Sequence, residues 1–158
     1  MTDLLSDPFR PSYGMSAAVA SSGYTPLGFK NAVSQLKIFQ PDAREGRYGR
    51  WSQASLFTMR YARVCGGMIR KPVSSFVPFG QHAFQHMYDN ELLDNDDRRV
   101  VQAIVFEATG RSIIGYINAD GMDPGGSLRL LSDPCFLVPI TEMWRVVKRE
   151  LLDFGEDQ

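Results

Sequence analysis

A helical spacing of apolar residues begins shortly after the first two dozen positions. Thr25 is a good N-cap residue and Pro26 stands at the first helical position, where its missing N–H costs nothing. The apolar residues that follow recur at i, i+4 and i+7, and they are Phe29, Val33 and Leu36. This pattern predicts a helix over residues 26–38.

Two later segments have the same helical spacing. Residues 81–93 place aromatic and aliphatic side chains on one face, after a proline-bracketed loop at 73–80. Residues 141–154 show the clearest stripe, with Thr141 as a candidate cap and Gly155 at the end. The members of that stripe are Met143, Val147, Leu151 and Phe154. The sequence therefore predicts helices over 81–93 and 141–154.

Residues 53–65 fit both a helix and a strand. In a helix, Ser52 caps the start and Gly66-Gly67 ends the element. In a strand, alternation puts three large side chains on one face, and these are Phe57, Met59 and Tyr61. Because aromatic and threonine residues are enriched in strands, the composition slightly favours the strand.

The strongest strand signal lies in the second half of the chain. Two β-branched runs, 100–108 and 112–119, flank the short turn Thr109-Gly110-Arg111. Such a pair predicts an antiparallel hairpin. Residues 127–131 and 135–138 are candidates for a third and a fourth strand of the same sheet.

These elements predict an α+β fold with one domain over 25–158. An antiparallel β-meander at about 99–138 packs against two or three α-helices, and residues 1–24 form an extended or flexible N-terminal arm. Helices on one side of an antiparallel sheet leave its other face for water or a partner. The residues on that face of the hairpin are therefore candidate interface positions.

Charge is distributed unevenly along the 158 residues, although the net charge is only −1. Residues 1–82 hold ten Lys and Arg against four Asp and Glu, whereas residues 83–158 hold seven against fourteen. Such asymmetry is typical of a nucleic-acid surface, and equally of a bipolar molecule whose basic side meets the acidic side of a neighbour. If the two halves interleave in the fold, the asymmetry disappears.

Several features bear on location. The first residues lack the basic start and apolar run of a signal peptide. No apolar run approaches the roughly 20 residues of a membrane-spanning helix. Cys65 and Cys135 stand far apart and match no metal-binding spacing, which favours free thiols. We therefore expect the cytoplasm, or a particle assembled there, and no membrane partner.

A basic and aromatic segment within residues 44–71 is the first candidate site. Arginine attracts phosphate, and exposed aromatic rings stack on unpaired bases. The candidate nucleic-acid-binding residues are Arg44, Arg47, Tyr48, Arg50, Trp51, Arg60 and Arg63. The alternative is that the aromatic residues belong to the core and the arginines pair with the acidic half.

A candidate metal site is formed by His82, His86 and Asp89. In a helix, their i, i+4 and i+7 spacing puts all three on one face. Imidazole and carboxylate ligands suit first-row metals. The glutamate of the H-E-x-x-H hydrolase motif is absent, because Ala83 occupies its position. The alternative is a pair of histidines with no metal.

The sequence contains no phosphate-binding loop, no dinucleotide fingerprint and no G-x-S-x-G elbow. We therefore predict a non-enzymatic assembly or interaction protein without a cofactor. Protein partners and a homo-oligomer are expected, as in a small structural subunit of a virus-like or phage-like particle. Nucleic-acid binding through 44–71 is the alternative, and a metal-dependent enzyme centred on His82, His86 and Asp89 is the second alternative.

Overall fold

A computed structural model describes residues 7–119 and 135–154, and it confirms the α+β class with antiparallel sheets. The described residues form five α-helices and two sheets. In chain order the elements are α1 (Met15–Ser22), α2 (Pro26–Ser34), β1 (Ala43–Glu45), β2 (Tyr48–Arg50), α3 (Gln53–Ile69), a 3₁₀ turn (Val73–Phe76), α4 (Val77–Asp89), β3 (Val100–Phe106), β4 (Ser112–Asn118), β5 (Cys135–Val138) and α5 (Ile140–Phe154).

The chain divides into two compact units. The first unit comprises residues 1–85 and 143–158, and the second comprises residues 86–142. The first contains thirteen Lys and Arg against eight Asp and Glu, a net charge of +5. The second contains four against ten, a net charge of −6. The charge asymmetry of the sequence therefore persists as a difference between the two units.

Aromatic side chains build the core of the first unit. The Trp51 ring packs edge-on against Phe29, with centroids 5.4 Å apart. Trp144 packs edge-on against Phe84, also at 5.4 Å, and Phe57 lies 5.6 Å from Phe84. All five side chains are at most 2% exposed. Large rings that bury this much apolar surface provide much of the stabilisation of a small core.

Residues 53–65 are helical, so the preference for a strand was wrong. The Ser52 hydroxyl accepts the N–H of Ser55 at 3.2 Å, which caps the first turn of α3. Thr58 is accommodated because its hydroxyl donates to the carbonyl of Ala54 at 2.8 Å. Buried positions along α3 follow a helical stripe, and burial on that stripe overrides the strand propensity of its aromatic residues.

Three predicted helices are confirmed with altered ends. Thr25 caps α2 by accepting the N–H of Gly28 at 3.1 Å, and α2 ends at Ser34 rather than 38. α4 begins at Val77, because the 3₁₀ turn continues directly into it. Thr141 lies inside α5 rather than before it, and its hydroxyl accepts the N–H of Val100 at 3.0 Å.

The described part of residues 1–24 differs from the extended arm predicted for this segment. Tyr13 exchanges two backbone hydrogen bonds with Trp51, at 3.0 and 2.9 Å. Residues Met15–Ser22 then form α1, in which Ala17 and Ala18 are buried. Small alanine and serine side chains lack an amphipathic stripe, but they permit close packing against α3.

The second unit contains a three-stranded antiparallel sheet in the order β4-β3-β5. The predicted hairpin is present, and it pairs Val100 with Asn118 through to Phe106 with Ser112. Strand β5 pairs with β3, from Gln102 with Val138 to Val105 with Cys135. The candidate strand at 127–131 lies outside the described residues.

Within residues 7–119 and 135–154, no helix is long and apolar enough to cross a membrane.

Candidate interaction surfaces

One face of the three-stranded sheet has no polar side chain apart from the Cys135 thiol. In an antiparallel pair, residues directly opposite each other point to the same face, and alternate residues of one strand share that face. The register therefore assigns one set of eight residues to a single face, which we call the apolar face. Its members are Val101, Ala103, Val105, Ile113, Gly115, Ile117, Cys135 and Leu137.

Large side chains at the edges of the apolar face are exposed. Ile113 on β4 is 47% exposed and Leu137 on β5 is 44% exposed. Between them, Ala103 and Val105 on the central strand are buried. The exposed apolar area of this face therefore lies mainly at its two edges, with half-buried residues beside the buried centre.

The opposite face of the sheet is already occupied within the second unit. It carries Gln102, which is fully buried and donates to the Tyr116 hydroxyl at 3.3 Å. The His86 ring at the end of α4 stacks on Tyr116, with centroids 3.5 Å apart and planes 1° apart. Burial raises the pKa of Tyr116 to about 12, although the hydrogen bond from Gln102 opposes the shift. The apolar face is therefore the side of the sheet away from this contact.

The predicted basic and aromatic segment separates into exposed and structural residues. Arg44, Arg47 and Tyr48 are exposed on the hairpin of β1 and β2. Arg50 is also on this hairpin, but it forms an ion pair with Glu45 at 2.9 Å. Trp51 is 1% exposed and belongs to the core. A ring buried to this degree has no surface left for stacking on a base.

Arg60 and Arg63 bind the C-terminal end of α1 instead of facing away from the protein. The Arg60 guanidinium donates to the Ser21 carbonyl at 3.0 Å, and Arg63 Nε donates to the Ser22 carbonyl at 2.9 Å. These carbonyls belong to the last turn of a helix, where cations are favourable. Desolvation and the neighbouring Arg63 lower the pKa of Arg60, and Glu150 opposes that shift.

The exposed hairpin residues border a cleft of about 420 Å³ at the start of α1. Arg47 Nη2 donates to the Tyr48 hydroxyl at 2.9 Å, and the guanidinium carbon lies 5.1 Å from the ring centroid. Arg50, Gly14 and Ser16 line the same cleft. Two guanidinium groups beside an accessible tyrosine ring provide a surface that phosphate and a base could contact together.

The structure gives no support to a metal centre at the predicted histidines. His82 and Asp89 are exposed on α4, while His86 is half-buried against Tyr116. Across the residues that the structure describes, no three His, Cys, Asp or Glu side chains converge in a group that could hold a metal ion. The metal hypothesis stays a prediction from spacing alone.

Sequence patterns did not identify the full apolar face. Alternation within the hairpin marks Val101, Val105 and Ile113, but β5 joins the face only because it pairs with β3. This pairing connects residues thirty positions apart along the chain, such as Val105 and Cys135. A strand-by-strand reading contains no signal for such a non-local pairing.

No protein-family model matches the chain, and no curated protein matches it either.

Proposed function

We propose that this chain is a non-enzymatic assembly protein that associates with further copies of itself through the apolar face. The observation that carries the proposal is the composition of that face, eight residues without a charged or hydrogen-bonding side chain apart from the Cys135 thiol. Burying such a surface between two copies removes apolar area from water, which is the main driving force of association.

The size of the apolar face sets the expected strength of this contact. Three strands about 4.8 Å apart, the longest of seven residues, outline roughly 300 Å² per copy, which is an upper limit because the centre of the face is already buried. Stable complexes typically bury about 800 Å² per partner. We therefore expect a weak, concentration-dependent contact, which suits a subunit that is held in a larger particle by many repeated contacts. The cytoplasm, or a particle assembled there, is the location that we propose.

Substitution at the exposed edge of the face tests the proposal. Ile113→Asp places a charge on the apolar face, and its desolvation opposes burial between copies. We expect the dissociation constant for self-association to increase at least about tenfold, measured by light scattering coupled to size exclusion. Leu27→Asp is the matched control, because Leu27 is 68% exposed in the first unit and lies outside the face.

Equal effects of the two substitutions would contradict a role for the apolar face. Circular dichroism of both variants separates loss of association from loss of folding. Thiol modification adds an independent readout, because Cys135 is part of the face. Raising the protein concentration should slow the reaction of Cys135 in the natural protein, because association covers the face. In the Ile113→Asp variant the reaction rate should not depend on protein concentration.

Nucleic-acid binding is a second candidate function, favoured by the exposed Arg47 and Tyr48 pair beside the hairpin cleft. The residues now proposed for this contact are Arg44, Arg47 and Tyr48. Trp51, Arg60 and Arg63 are used within the fold, and Arg50 lines the cleft but is paired with Glu45. Arg47→Ala should weaken binding to a single-stranded oligonucleotide and reduce its salt slope by about one. Arg149→Ala, an exposed arginine on α5, is the control. An unchanged salt slope in Arg47→Ala would dispose of this candidate.

A further inference from the structure

A separate cleft of about 490 Å³ lies within the first unit. It is bounded by the start of the described chain, the segment that leads into β1, the first half of α3, and α4. Its volume is in the range of small-molecule sites, which are mostly apolar with a few convergent polar groups. The cleft shares no residue with the apolar face or with the hairpin cleft.

Three phenylalanines are among the residues that line this cleft. Phe39 and Phe84 are 5% and 1% exposed, so their positions are fixed by the core. Phe9 is 42% exposed and packs edge-on against Phe84, with centroids 5.8 Å apart and planes 87° apart. Phe9 is therefore the ring with exposed surface for a flat apolar body, and its contact with the buried Phe84 holds it in place; aromatic ring faces also attract cations.

The cleft also has polar lining residues, and their hydroxyl hydrogens are already used inside the protein. The Ser52 hydroxyl donates to Ser55 Oγ at 3.2 Å, and the Ser55 hydroxyl donates to Asp42 Oδ1 at 2.7 Å. Thr58 donates to the Ala54 carbonyl at 2.8 Å. The amide of Gln40 donates to the Val33 carbonyl at 2.8 Å. The three hydroxyl groups therefore present acceptor oxygens to a ligand, whereas Gln40 has both a carbonyl acceptor and a second amide hydrogen.

Asp42 is the one charged side chain among the described residues that line the cleft. Its two oxygens accept from Ser55 Oγ and from the N–H of Ser52, each at 2.7 Å. A carboxylate has about four acceptor positions, so about two remain. The two bonds also fix the carboxylate at the start of α3, where no reorganisation is needed to receive a further donor.

We propose that this cleft binds a small primary amine whose ammonium group is attached to an aromatic body. An ammonium has three donors and no acceptor, which complements the three hydroxyl acceptors and the one carboxylate that line the cleft. The aromatic body packs against the exposed face of Phe9. Neither an alcohol nor a carboxylate of the same shape has this complementarity, because the alcohol is uncharged and the carboxylate meets Asp42 with like charge.

The test compares three probes of matched shape on the full chain by isothermal titration calorimetry. The probes are phenethylamine, 2-phenylethanol and 3-phenylpropionate. We expect phenethylamine to bind at least about tenfold more tightly than either other probe. A gain of this size is what one charge-assisted hydrogen bond contributes to affinity. The amine's advantage should shrink at high salt, because the solvent-accessible part of the cleft is screened.

Two variants and a control locate the binding. Asp42→Asn keeps an acceptor oxygen but removes the charge, so the amine's advantage over the alcohol should fall to about threefold or less. Glu45→Gln removes a nearby carboxylate that does not line the cleft, and it should leave all three affinities unchanged. Gln81→Glu adds a carboxylate at an exposed position lining the cleft, and it should tighten amine binding several-fold.

The gain expected for Gln81→Glu cannot result from misfolding, so the proposal stays testable if Asp42→Asn destabilises α3. Equal affinity for the amine and the alcohol would overturn the proposal, and so would an absence of amine binding at millimolar concentration. Amine binding that is unaffected by both Asp42→Asn and Gln81→Glu would also overturn it, because the ligand would then lie elsewhere.

Discussion

Burial makes the two cysteines chemically different. Cys65 is 1% exposed in α3, and desolvation raises the pKa of its thiol to about 11, although a hydrogen bond with Tyr61 opposes the shift. Cys135 is half-buried on the apolar face. Because the thiolate is the reactive form, a thiol reagent at neutral pH should modify Cys135 and leave Cys65 intact in the folded protein.

The raised pKa of Cys65 makes stability depend on alkaline pH. The unfolded thiol releases its proton near pH 9, whereas the folded thiol retains it to about pH 11, so stability falls as pH rises through this window. At pH 10 the expected loss is about 1 kcal/mol. Urea unfolding at pH 8 and pH 10 measures it, since the loss should become smaller in Cys65→Ala and persist in Cys135→Ala. An equal loss in both variants would contradict this assignment.

The roles of the arginines also depend on their surroundings in the fold rather than on their nearness in sequence. Arg60 and Arg63 follow the hairpin closely in sequence, yet both donate to the last carbonyls of α1. Their nearness to Arg47 along the chain predicted a shared surface, which the fold does not form. Because a guanidinium has five donors, one residue can end a helix as readily as it can bind phosphate, and sequence composition does not separate the two roles.

At the scale of elements, local sequence signals predicted where helices begin better than they predicted which elements pack or pair together. Thr25 caps α2 as expected, because an N-cap depends on a few neighbouring residues. α3 was misjudged, since its aromatic and threonine residues favour a strand while its burial pattern, visible only in the fold, is helical. A strand at 135–138 in this sheet was predicted and is confirmed, but its pairing with the central strand β3 was not predicted, because that pairing is non-local.

Two adjacent glycines in α3 differ in the space that is available for a side chain. A Cβ at Gly66 would lie 3.2 Å from the Lys71 carbonyl oxygen and 3.3 Å from Val73 Cα, both of which are backbone atoms. A Cβ at Gly67 would meet nothing within 4 Å. The segment after α3 therefore packs closely against one glycine and leaves the other open.

Alanine substitution at these positions should change stability in opposite directions. Gly67→Ala should stabilise the protein by about 0.5–1 kcal/mol, because alanine has the higher helix propensity. Gly66→Ala should destabilise it, because the new methyl group has to displace backbone atoms. Thermal and urea unfolding of the two variants compare them directly, and a shift of the same sign in both would show that the packing around Gly66 is misassigned.

At the scale of the whole molecule, the charge difference between the two units distinguishes two ways of self-association. Contact between the basic unit of one copy and the acidic unit of another would weaken with salt, since opposite charges are screened. Contact between two apolar faces brings together two units of net charge −6, so salt should leave it unchanged or strengthen it. The proposed assembly follows the second pattern.

The candidate sites could be predicted from the sequence only in part, because both depend on contacts between residues that are distant along the chain. Alternation predicted that one face of the hairpin would be available to a partner, and Ile113 belongs to that surface. The acceptor-lined cleft around Asp42 had no sequence signal, because it depends on hydrogen bonds between residues ten and thirteen positions apart. Spacing rules identify groups on one element, whereas this cleft combines several.

The most direct test of self-association through the apolar face is the mass of the natural protein by light scattering. The measurement covers about a hundredfold range of concentration, in low and in high salt. We predict a mass that rises above 17.7 kDa with concentration and does not fall when salt is added. A mass of one chain at every concentration, or an assembly that dissociates in high salt, would contradict the proposal.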